Sequence, residues 1–373
     1  MDFTTTEDQQ ALVGLATQIL AEQATPKRLE ELESSGGWYD ETLWRHLAEA
    51  GVVGAALSDD VGGGAMGFTE LALVLEQVGA HVAPVPLLET VLAALAIDTF
   101  GTPEQRTRDL PGVASGTVLL TSALTESGRD DPARPLTTAT PDGDGYRISG
   151  LKSAVPFAGL ARRILVPATD PDGRAVVVLL EPTAAGVTLR AQTATSGQPQ
   201  AELELAEVVV PASDVLAGPD RGAELLGWLL DRTVTALAAT ALGVSGRALK
   251  MSAEYTTGRE QFGRPVATFQ AVGHRLADAY IDVEAMRLTT LQAVWLLDSG
   301  LPARDQATIA KWWACEGGHR VAHAAQHVHG GVGVDVDYPL SRYFRWSKQL
   351  ELTLGGATPQ LLRLGAALAA EPV

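Results

Sequence analysis

The spacing of apolar residues changes twice along the 373-residue chain, and these two changes limit the folds that it can adopt. Residues 1–115 show helical spacing, as in Leu12, Leu15 and Ile19, which share one helix face. Residues 116–215 contain short runs rich in Val, Ile and Leu with turns between them. Helical spacing returns over residues 216–373. We therefore predict three domains with these bounds, in the order helical, β and helical.

The central segment contains six runs with the length and composition of strands. Several short strands separated by turn signals favour a small barrel or sandwich, and we expect a central β-barrel. Around it, the chain is mainly α, because its 46% hydrophobic content includes only 5% aromatic residues and is dominated by Leu, Ala and Val. Thr4 and Glu7 have the spacing of a capping box before the first helix. The predicted strands are Val118–Ala123, Tyr146–Ser149, Ile164–Val166, Val176–Leu180, Val187–Leu189 and Leu203–Val210.

Charge and cysteine content argue against several kinds of partner and site. The net charge is −17, from 45 acidic and 28 basic residues, which argues against nucleic acid or an anionic membrane as partner. Cys315 is the only cysteine, so an intramolecular disulfide and a cysteine-type zinc site are excluded. The N-terminal residues lack the basic and apolar regions of a signal peptide. The most apolar stretch, residues 228–244, is interrupted by Asp231 and Arg232. We expect a soluble, cytoplasmic protein.

Two motifs favour structural roles over ligand binding. Residues 62–67 match the pattern G-x-G-x-x-G, but helical patterns flank them, whereas a dinucleotide site needs a preceding strand. We interpret them as a turn. His319, His323 and His327 are spaced to lie on one helix face. Because a metal site needs converging ligands with supporting carboxylates, we expect no metal and interpret these histidines as part of a helix or subunit contact.

A third motif is specific. Arg259-Glu260-Gln261-Phe262-Gly263-Arg264-Pro265, followed by Phe269-Gln270, lies between two long helical patterns and resembles a signature of the acyl-CoA dehydrogenase family. The resemblance implies that family's fold: an N-terminal helical domain, a central β-barrel and a C-terminal four-helix bundle. It also implies that Arg259, Phe262 and Gln270 hold the adenine and pyrophosphate half of FAD across a subunit boundary. The alternative role of Arg259 is a salt bridge with Glu260 or Glu254.

The glycine-rich segment at residues 329–333 resembles the family's flavin-contacting loop. Glycine at Gly330 and Gly331 lets the backbone approach a pyrophosphate closely. Counting along the chain places His327 at the position of the family's glutamine, with Gln326 one residue away. The resemblance thus implies that His327, Gly330 and Gly331 join the cofactor-binding set. Since both FAD and coenzyme A carry phosphates, such a site must be locally basic despite the acidic chain.

The family's catalytic base has no counterpart in this chain. In many members a glutamate in an aromatic-Glu-Gly-Thr segment removes the α-proton of the acyl-CoA, but this chain has Leu354-Gly355-Gly356 there. Other members carry the base at the start of the first bundle helix, where counting places Thr233. The nearest carboxylates are Asp231, displaced by over half a helical turn, and Glu351. We predict no catalytic residue in this chain and keep Asp231 and Glu351 as weak candidates.

The contacts that members make with their own flavin ring also differ. The family's Thr-Glu-Pro-x-Ala-Gly-Ser-Asp corresponds to residues 125–130, which lack its proline. Its Lys-x-Trp-Ile-Thr corresponds to Lys152-Ser153-Ala154-Val155-Pro156. Ala154 cannot stack beside a flavin as tryptophan does, and Pro156 has neither a hydroxyl nor an N–H.

The residues that grip a neighbour's FAD are thus retained, while those serving the chain's own flavin ring and base are lost. Within the family, residues 329–357 are most similar to the smaller partner subunits of actinobacterial heterotetrameric (α2β2) dehydrogenases of steroid side-chain CoA thioesters. This resemblance implies FAD-dependent α,β-dehydrogenation of an acyl-CoA with a larger catalytic subunit, and an electron-accepting flavoprotein. Two alternatives stay open: a self-sufficient homo-oligomer that uses Asp231 or Glu351 as base, and a non-catalytic scaffold without flavin.

Overall fold

The computed structural model describes residues 1, 3–129 and 131–370, and its helices and strands follow the predicted order. Helices precede and follow one block of strands, which runs from residue 120 to residue 217. The first six helices are α1 Glu7–Gln23, α2 Pro26–Ser34, α3 Glu41–Glu49, α4 Phe68–Ala80, α5 Leu87–Phe100 and α6 Pro103–Ala114. The last five are α7 Gly222–Gly258, α8 Gln270–Asp298, α9 Arg304–His329, α10 Leu340–Leu352 and α11 Ala357–Ala370.

The described residues form two compact units, and the three-domain division stays a prediction. One unit combines Met1–Glu31, Leu71–Ala83 and the chain from Val234 onward. The other combines Leu32–Glu70 and Pro84–Thr233. The first contains the helices α8 to α11, and the second contains the sheet.

The cap of the first helix lies two residues later than predicted. Thr6, not Thr4, caps α1: its hydroxyl accepts from the N–H of Gln9, and the Gln9 side chain accepts from the N–H of Thr6. This is the predicted capping box in a shifted register, because glutamine can replace glutamate at its third helical position. The glycines of residues 62–64 form a turn, as predicted: a Cβ on Gly63 would lie 2.2 Å from the carbonyl oxygen of Leu57, which only glycine avoids.

The predicted β-barrel is an open sheet. Its strands are ordered β6-β7-β3-β2-β4-β5-β8, with β1 beside β4, and among the described residues β6 and β8 do not pair with each other. Exposed Arg190 occupies β6, and a charged, solvated strand of this kind blunts an edge against further pairing. The strands are β1 Leu120–Ser122, β2 Thr138–Asp142, β3 Gly145–Pro156, β4 Arg163–Thr169, β5 Ala175–Leu180, β6 Val187–Thr193, β7 Pro199–Val210 and β8 Val215–Ala217.

Apolar side chains from most of these strands fill one core of the sheet unit. Each of the six predicted strands corresponds to an observed strand, whereas β2 and β8 were not predicted. Fully buried members of the core include Ile148 on β3, Ile164 and Val166 on β4, and Val176 on β5. Burying one such side chain contributes about 1.5–3 kcal/mol.

A buried ion pair lies at the beginning of the segment that precedes β2. The Nζ atom of Lys152, which is 1% exposed, lies 2.7 Å from a carboxylate oxygen of Glu126 and donates to the carbonyl of Pro167, also at 2.7 Å. Glu126 also accepts from the backbone N–H groups of Leu136 and Thr137. Burial is the largest effect and raises the pKa of Glu126, but the Lys152 charge and the hydrogen bonds from Lys152, Thr137 and Leu136 together outweigh it and hold the pKa below its usual value. The pair anchors Glu126 and the backbone of Leu136 and Thr137 to β3.

The longest helix, α7, is apolar and long enough by composition to cross a membrane. However, 72% of its most apolar window is buried within the protein, which is typical of a core helix.

Prediction one concerns the buried pair. We expect Lys152→Met to lower the free energy of unfolding by roughly 3–5 kcal/mol, because it leaves the Glu126 carboxylate buried without its charge partner. Urea unfolding monitored by circular dichroism measures the change, and Lys27→Met, at a lysine side chain that is 85% exposed, is the matched control. Equal stabilities of the two variants would show that the pair does not anchor the segment.

Candidate functional site

Three helix ends of the bundle meet at one place. α7 ends at Gly258, α8 begins at Gln270 and α9 ends at His329. The ring of His329 stacks on Tyr255 with 4.4 Å between centroids, which joins the end of α9 to the last turn of α7. α8 and α9 pack along each other, so the start of one lies beside the end of the other. The residues predicted from the two glycine-containing motifs are therefore brought to the same end of the bundle.

The Arg259 segment is a small hairpin that projects from the end of α7. Strand β9, Glu260–Gln261, pairs antiparallel with β10, Arg264–Pro265. Phe262 and Gly263 form the turn with φ of +55° and +75°, and the Phe262 side chain is 93% exposed. Positive φ at both central residues matches the twist of a two-residue hairpin. An exposed phenylalanine in a conformation that glycine prefers is costly to the isolated subunit, so the turn is built for contact with something else.

Arginine side chains around this hairpin have unused donors. Arg259 is exposed, and within residues 1, 3–129 and 131–370 no carboxylate oxygen lies within 4.0 Å of its guanidinium nitrogens. The salt bridge with Glu254 or Glu260 is therefore not formed. The Arg264 guanidinium lies 4.1 Å above the Phe269 ring, which fixes its direction without neutralising it. Gln270 is exposed, and its amide lies 3.4 Å from Nε2 of His274.

The glycine loop following α9 keeps its backbone accessible. Gly330 has φ of +63°, and a Cβ added at Gly330 or Gly331 would meet no atom within 4 Å. At Gly333 a Cβ would lie 2.8 Å from the carbonyl oxygen of Gln326. The Gln326 amide donates to the Gly333 carbonyl at 3.1 Å, so that side chain holds the loop. His327, rather than Gln326, is exposed at this position.

The buried imidazole of His329 lies at the end of α9, directly before the glycine loop. Its Nδ1 donates to the Ala325 carbonyl at 2.7 Å, and the side chain lies between Tyr255 and Tyr338. Burial lowers the pKa of His329, and the hydrogen bond to Ala325 only partly opposes this effect. The ring is therefore neutral at physiological pH, and it positions the loop by packing and by one hydrogen bond rather than by charge.

Glu351 is engaged by neighbouring cations. One carboxylate oxygen lies 2.7 Å from Nζ of Lys348, and His319 Nδ1 lies 3.2 Å from the carboxylate. Partial burial raises the pKa of Glu351, but the hydrogen bonds and charges of Lys348 and His319 outweigh it and lower the pKa. A general base works best with a pKa raised toward neutrality, so this environment is opposite to what catalysis needs.

The residues at the two family positions for the base have internal roles. Thr233 is buried, and its hydroxyl donates to the Leu229 carbonyl at 2.7 Å within α7. Asp231 lies half-buried on the same helix. Leu354 begins the turn between α10 and α11, where its carbonyl accepts from Gln360. The turn has positive φ at Leu354 and Gly355, of +58° and +93°.

On β3, backbone groups of the residues that correspond to the family's flavin-ring contacts form hydrogen bonds within the protein. The Pro156 carbonyl accepts from the Thr121 hydroxyl at 2.7 Å. The N–H of Ala154 donates to the Gln192 side chain at 2.9 Å. The buried pair of Lys152 and Glu126 uses the polar groups at the remaining positions. These residues offer a flavin ring neither an aromatic surface nor a hydroxyl donor.

Two of the three equally spaced histidines on α9 pack against neighbouring side chains. His319 and His323 have 4.4 Å between ring centroids, and His323 packs edge-on against Phe344 of α10. Among the described residues, no group of three histidine, cysteine, aspartate or glutamate side chains is arranged to hold a metal ion.

Comparison with known proteins agrees with the fold. The sequence profile of "Acyl-CoA dehydrogenase, N-terminal domain" matches residues 6–117, and that of "Acyl-CoA dehydrogenase, C-terminal domain" matches residues 220–369. Acyl-CoA dehydrogenase FadE27 of Mycobacterium tuberculosis is 41% identical over 100% of both chains. The chain belongs to the acyl-CoA dehydrogenase family. Members of this family are FAD-dependent oxidoreductases that act on CH–CH bonds.

Two solved structures are similar over nearly the whole chain. One is a variant of the Tcur3481-Tcur3483 steroid ACAD, 48% identical, covering 97% of this chain and 98% of that one, with a TM-score of 0.92. The other is the ChsE4-ChsE5 complex from Mycobacterium tuberculosis, 43% identical over 100% of each chain, with a TM-score of 0.93. Each name joins two designations, the first as a steroid ACAD and the second as a complex.

The bundle end has groups of the kind that bind phosphates. It offers exposed guanidinium donors at Arg259 and Arg264 and an open glycine backbone at Gly330 and Gly331. The β3 positions do not have the chemistry that a flavin ring requires.

Sequence reasoning missed one part of this end of the bundle. Arg275 contacts His327, with 2.6 Å between Nη1 and Nδ1, although 52 residues separate them. A signal was present: Arg275 lies seven residues before Asp282, and His327 lies seven residues after Arg320. Asp282 and Arg320 form an ion pair between α8 and α9, so antiparallel pairing at that level places the other two residues together.

Prediction two concerns Glu351. Because its pKa is lowered on folding, its carboxylate stabilises the protein above its ordinary pKa of 4.5, and this contribution is lost as the pH falls below that value. We expect Glu351→Gln to cost less than about 1 kcal/mol at pH 7, since the pair with Lys348 is partly exposed. Urea titrations at pH 7 and pH 4 measure the difference, which should shrink at pH 4. Glu254→Gln, at an exposed position on α7, is the control, and a cost that grows on acidification would contradict the assignment.

Proposed function

We propose that this chain is the FAD-completing subunit of a heteromeric acyl-CoA dehydrogenase whose catalytic partner supplies the base. The observation that carries this proposal is the contrast between two parts of the chain. At the bundle end, Arg259, Phe262 and Gln270 are exposed and gathered beside an accessible glycine loop. The positions that would serve the chain's own flavin ring and base are engaged internally.

Each residue of the bundle end has a distinct role in this proposal. The Arg259 guanidinium binds pyrophosphate oxygens in a planar fork that lysine cannot reproduce. Phe262 and Gln270 bind the adenine half through an apolar surface and an amide. Gly330 and Gly331 present backbone N–H groups at close range, and His327 replaces the family's glutamine. When bound, FAD accepts the hydride that leaves Cβ of the acyl thioester.

The partner provides what this chain lacks. An α-proton beside a thioester is weakly acidic, so its removal needs a positioned carboxylate in a largely dehydrated site. Glu351 pairs with Lys348 and has a lowered pKa, and Thr233 is no base. We therefore assign the base and the flavin-ring contacts to a larger acyl-CoA dehydrogenase subunit, in an α2β2 assembly that passes electrons to a flavoprotein. The name of one similar enzyme, a steroid ACAD, supports a steroid CoA ester as substrate, and the resemblance of residues 329–357 favours an ester of the steroid side chain.

Prediction three concerns Arg259. We expect Arg259→Ala to weaken FAD retention in the assembled enzyme by about ten- to a hundred-fold, because a charge-assisted contact is worth roughly 1.5–3 kcal/mol. Flavin absorbance after dialysis of the co-expressed complex measures it. Arg304→Gln removes an equal charge at the far end of α9 and should leave the flavin content unchanged. Equal flavin content in wild type and Arg259→Ala would contradict the proposed contact.

Prediction four concerns catalysis. We expect the chain alone, incubated with FAD, to show no dye-coupled acyl-CoA dehydrogenation and to gain it with a partner that carries the missing glutamate. Positioned general bases contribute roughly 10²–10⁴-fold, which sets the size of the expected difference. In the complex, Glu351→Gln and Asp231→Asn of this chain should keep turnover within about two-fold, since such a base contributes far more.

The same assay separates the alternatives. Turnover by the chain alone that either Glu351→Gln or Asp231→Asn abolishes would favour a self-sufficient homo-oligomer. A complex that forms but retains no flavin would favour a non-catalytic scaffold.

A further inference from the structure

We propose that Arg275 and His327 form a fixed pair of hydrogen-bond donors that binds the pyrophosphate of an adenine dinucleotide at the bundle end. This inference rests on the proposed function, and it adds to the cofactor contacts a residue that no sequence motif contains. The ligand chemistry is an adenosine pyrophosphate, which both FAD and coenzyme A carry. We assign it to FAD, because the pair lies beside the Arg259 hairpin and the glycine loop.

The contact geometry determines the protonation of the imidazole. Nη1 of Arg275 lies 2.6 Å from Nδ1 of His327. A guanidinium has only donors, so Nδ1 must accept, which leaves the ring neutral with its proton on Nε2. The contact therefore selects one tautomer. His327 presents an Nε2–H donor, and Arg275 keeps further N–H donors for a ligand.

The position of the pair is fixed by the packing of α8 against α9. Two helical turns away, the Arg320 guanidinium lies 2.5 Å from the Asp282 carboxylate, which is 7% exposed as a residue. A Cβ added at Gly317 would lie 3.2 Å from the Met286 side chain, so the helices approach closely there. This contact holds the two helices in register. Arg275 and His327 are thus presented by rigid elements, which reduces the entropy lost on binding.

The charge of the surroundings also favours an anion. Most arginines of this acidic chain lie within 4.0 Å of a carboxylate, as in the pairs of Arg106 with Asp98 and of Arg287 with Glu284. For Arg259, Arg264 and Arg275, no such pair is formed within the part of the chain that the structure describes. Three exposed guanidinium groups without counter-ions at one end of one bundle attract a polyanion.

An open cavity adjoins the pair. Its volume is about 650 Å³, and it lies between α8 and α9. His274, Arg275, His319 and His323 line it together with Asp278. The Gln270 amide contacts His274, which is one of the lining residues. The cavity thus extends along α8 from Ala271 to Asp282, and Arg275 lines it.

The test measures binding of ADP, which carries the pyrophosphate half of FAD, to the full-length chain by isothermal titration calorimetry at low ionic strength. We expect Arg275→Gln to weaken ADP binding by about ten-fold, as a lost charge-assisted contact predicts. Arg304→Gln is the matched control, because it removes the same charge roughly 35 Å away along α9 and should leave ADP affinity unchanged. Circular dichroism verifies that each variant is folded.

Two further variants separate this inference from the proposed function. If Arg259→Ala weakens ADP binding and Arg275→Gln does not, the pair has no role and the inference fails alone. If neither weakens it, the proposed FAD site fails as well. Coenzyme A serves as the second probe, and a loss on Arg275→Gln that is confined to coenzyme A would overturn the assignment to FAD.

A double-mutant cycle tests whether Arg275 and His327 bind the ligand as a unit. We expect Arg275→Gln to cost markedly less affinity for ADP in the His327→Gln background than in the wild type, since the pair then no longer acts as a unit. Strictly additive effects would show that Arg275 does not act through His327. Nitrogen-15 spectra of histidine-labelled protein, with His327 assigned by His327→Gln, should show the Nε2–H tautomer in the wild type and a shifted Nδ1 resonance in Arg275→Gln, because Nδ1 then no longer accepts from a guanidinium.

Discussion

The register between α8 and α9 is the constraint on which the rest of the bundle end depends. It is set by the ion pair of Asp282 with Arg320 and by the close approach of Gly317 to Met286. Because the two helices run antiparallel, a contact between one residue of each helix also determines which residues face each other two turns away. The start of α8 therefore lies beside the end of α9. A shift of one turn would separate His327 from Arg275 by about 5 Å.

Residues between Arg259 and Gly333 are thereby brought together where the ends of α7, α8 and α9 meet. His329 transmits the arrangement to α7 by stacking on Tyr255, and Gln326 closes the glycine loop onto itself. The guanidinium groups of Arg259 and Arg264 stay exposed, whereas the side chains of Gln326 and His329 make contacts within the protein. In the sheet unit, Lys152 and Glu126 neutralise each other and anchor a loop. This pair stabilises the sheet unit, as the ion pair of Asp282 with Arg320 stabilises the packing of α8 against α9.

The differences between prediction and structure have local physical causes. Strand β2 was not predicted, because Thr138-Ala139-Thr140-Pro141-Asp142 is polar and largely exposed, and its pairing partner β3 supplies the apolar face. Closure of the sheet was expected from the family resemblance, yet β6 is a solvated edge. Glutamine in place of glutamate shifted the capping box to Thr6. For β2 and the open sheet, tertiary context rather than the propensity of the segment determined the outcome, whereas the shift of the capping box is local to the first turn of α1.

The sequence by itself determined the order of helices and strands, the turn at residues 62–64, and the loss of a carboxylate at the family's base positions. These properties depend on neighbours in the chain: periodicity, turn residues and the identity of single side chains. Only the tertiary structure decided that Arg275 meets His327 and that His319 contacts Glu351. Contacts of this kind depend on helix register and side-chain direction, and both are fixed by packing between segments far apart in sequence.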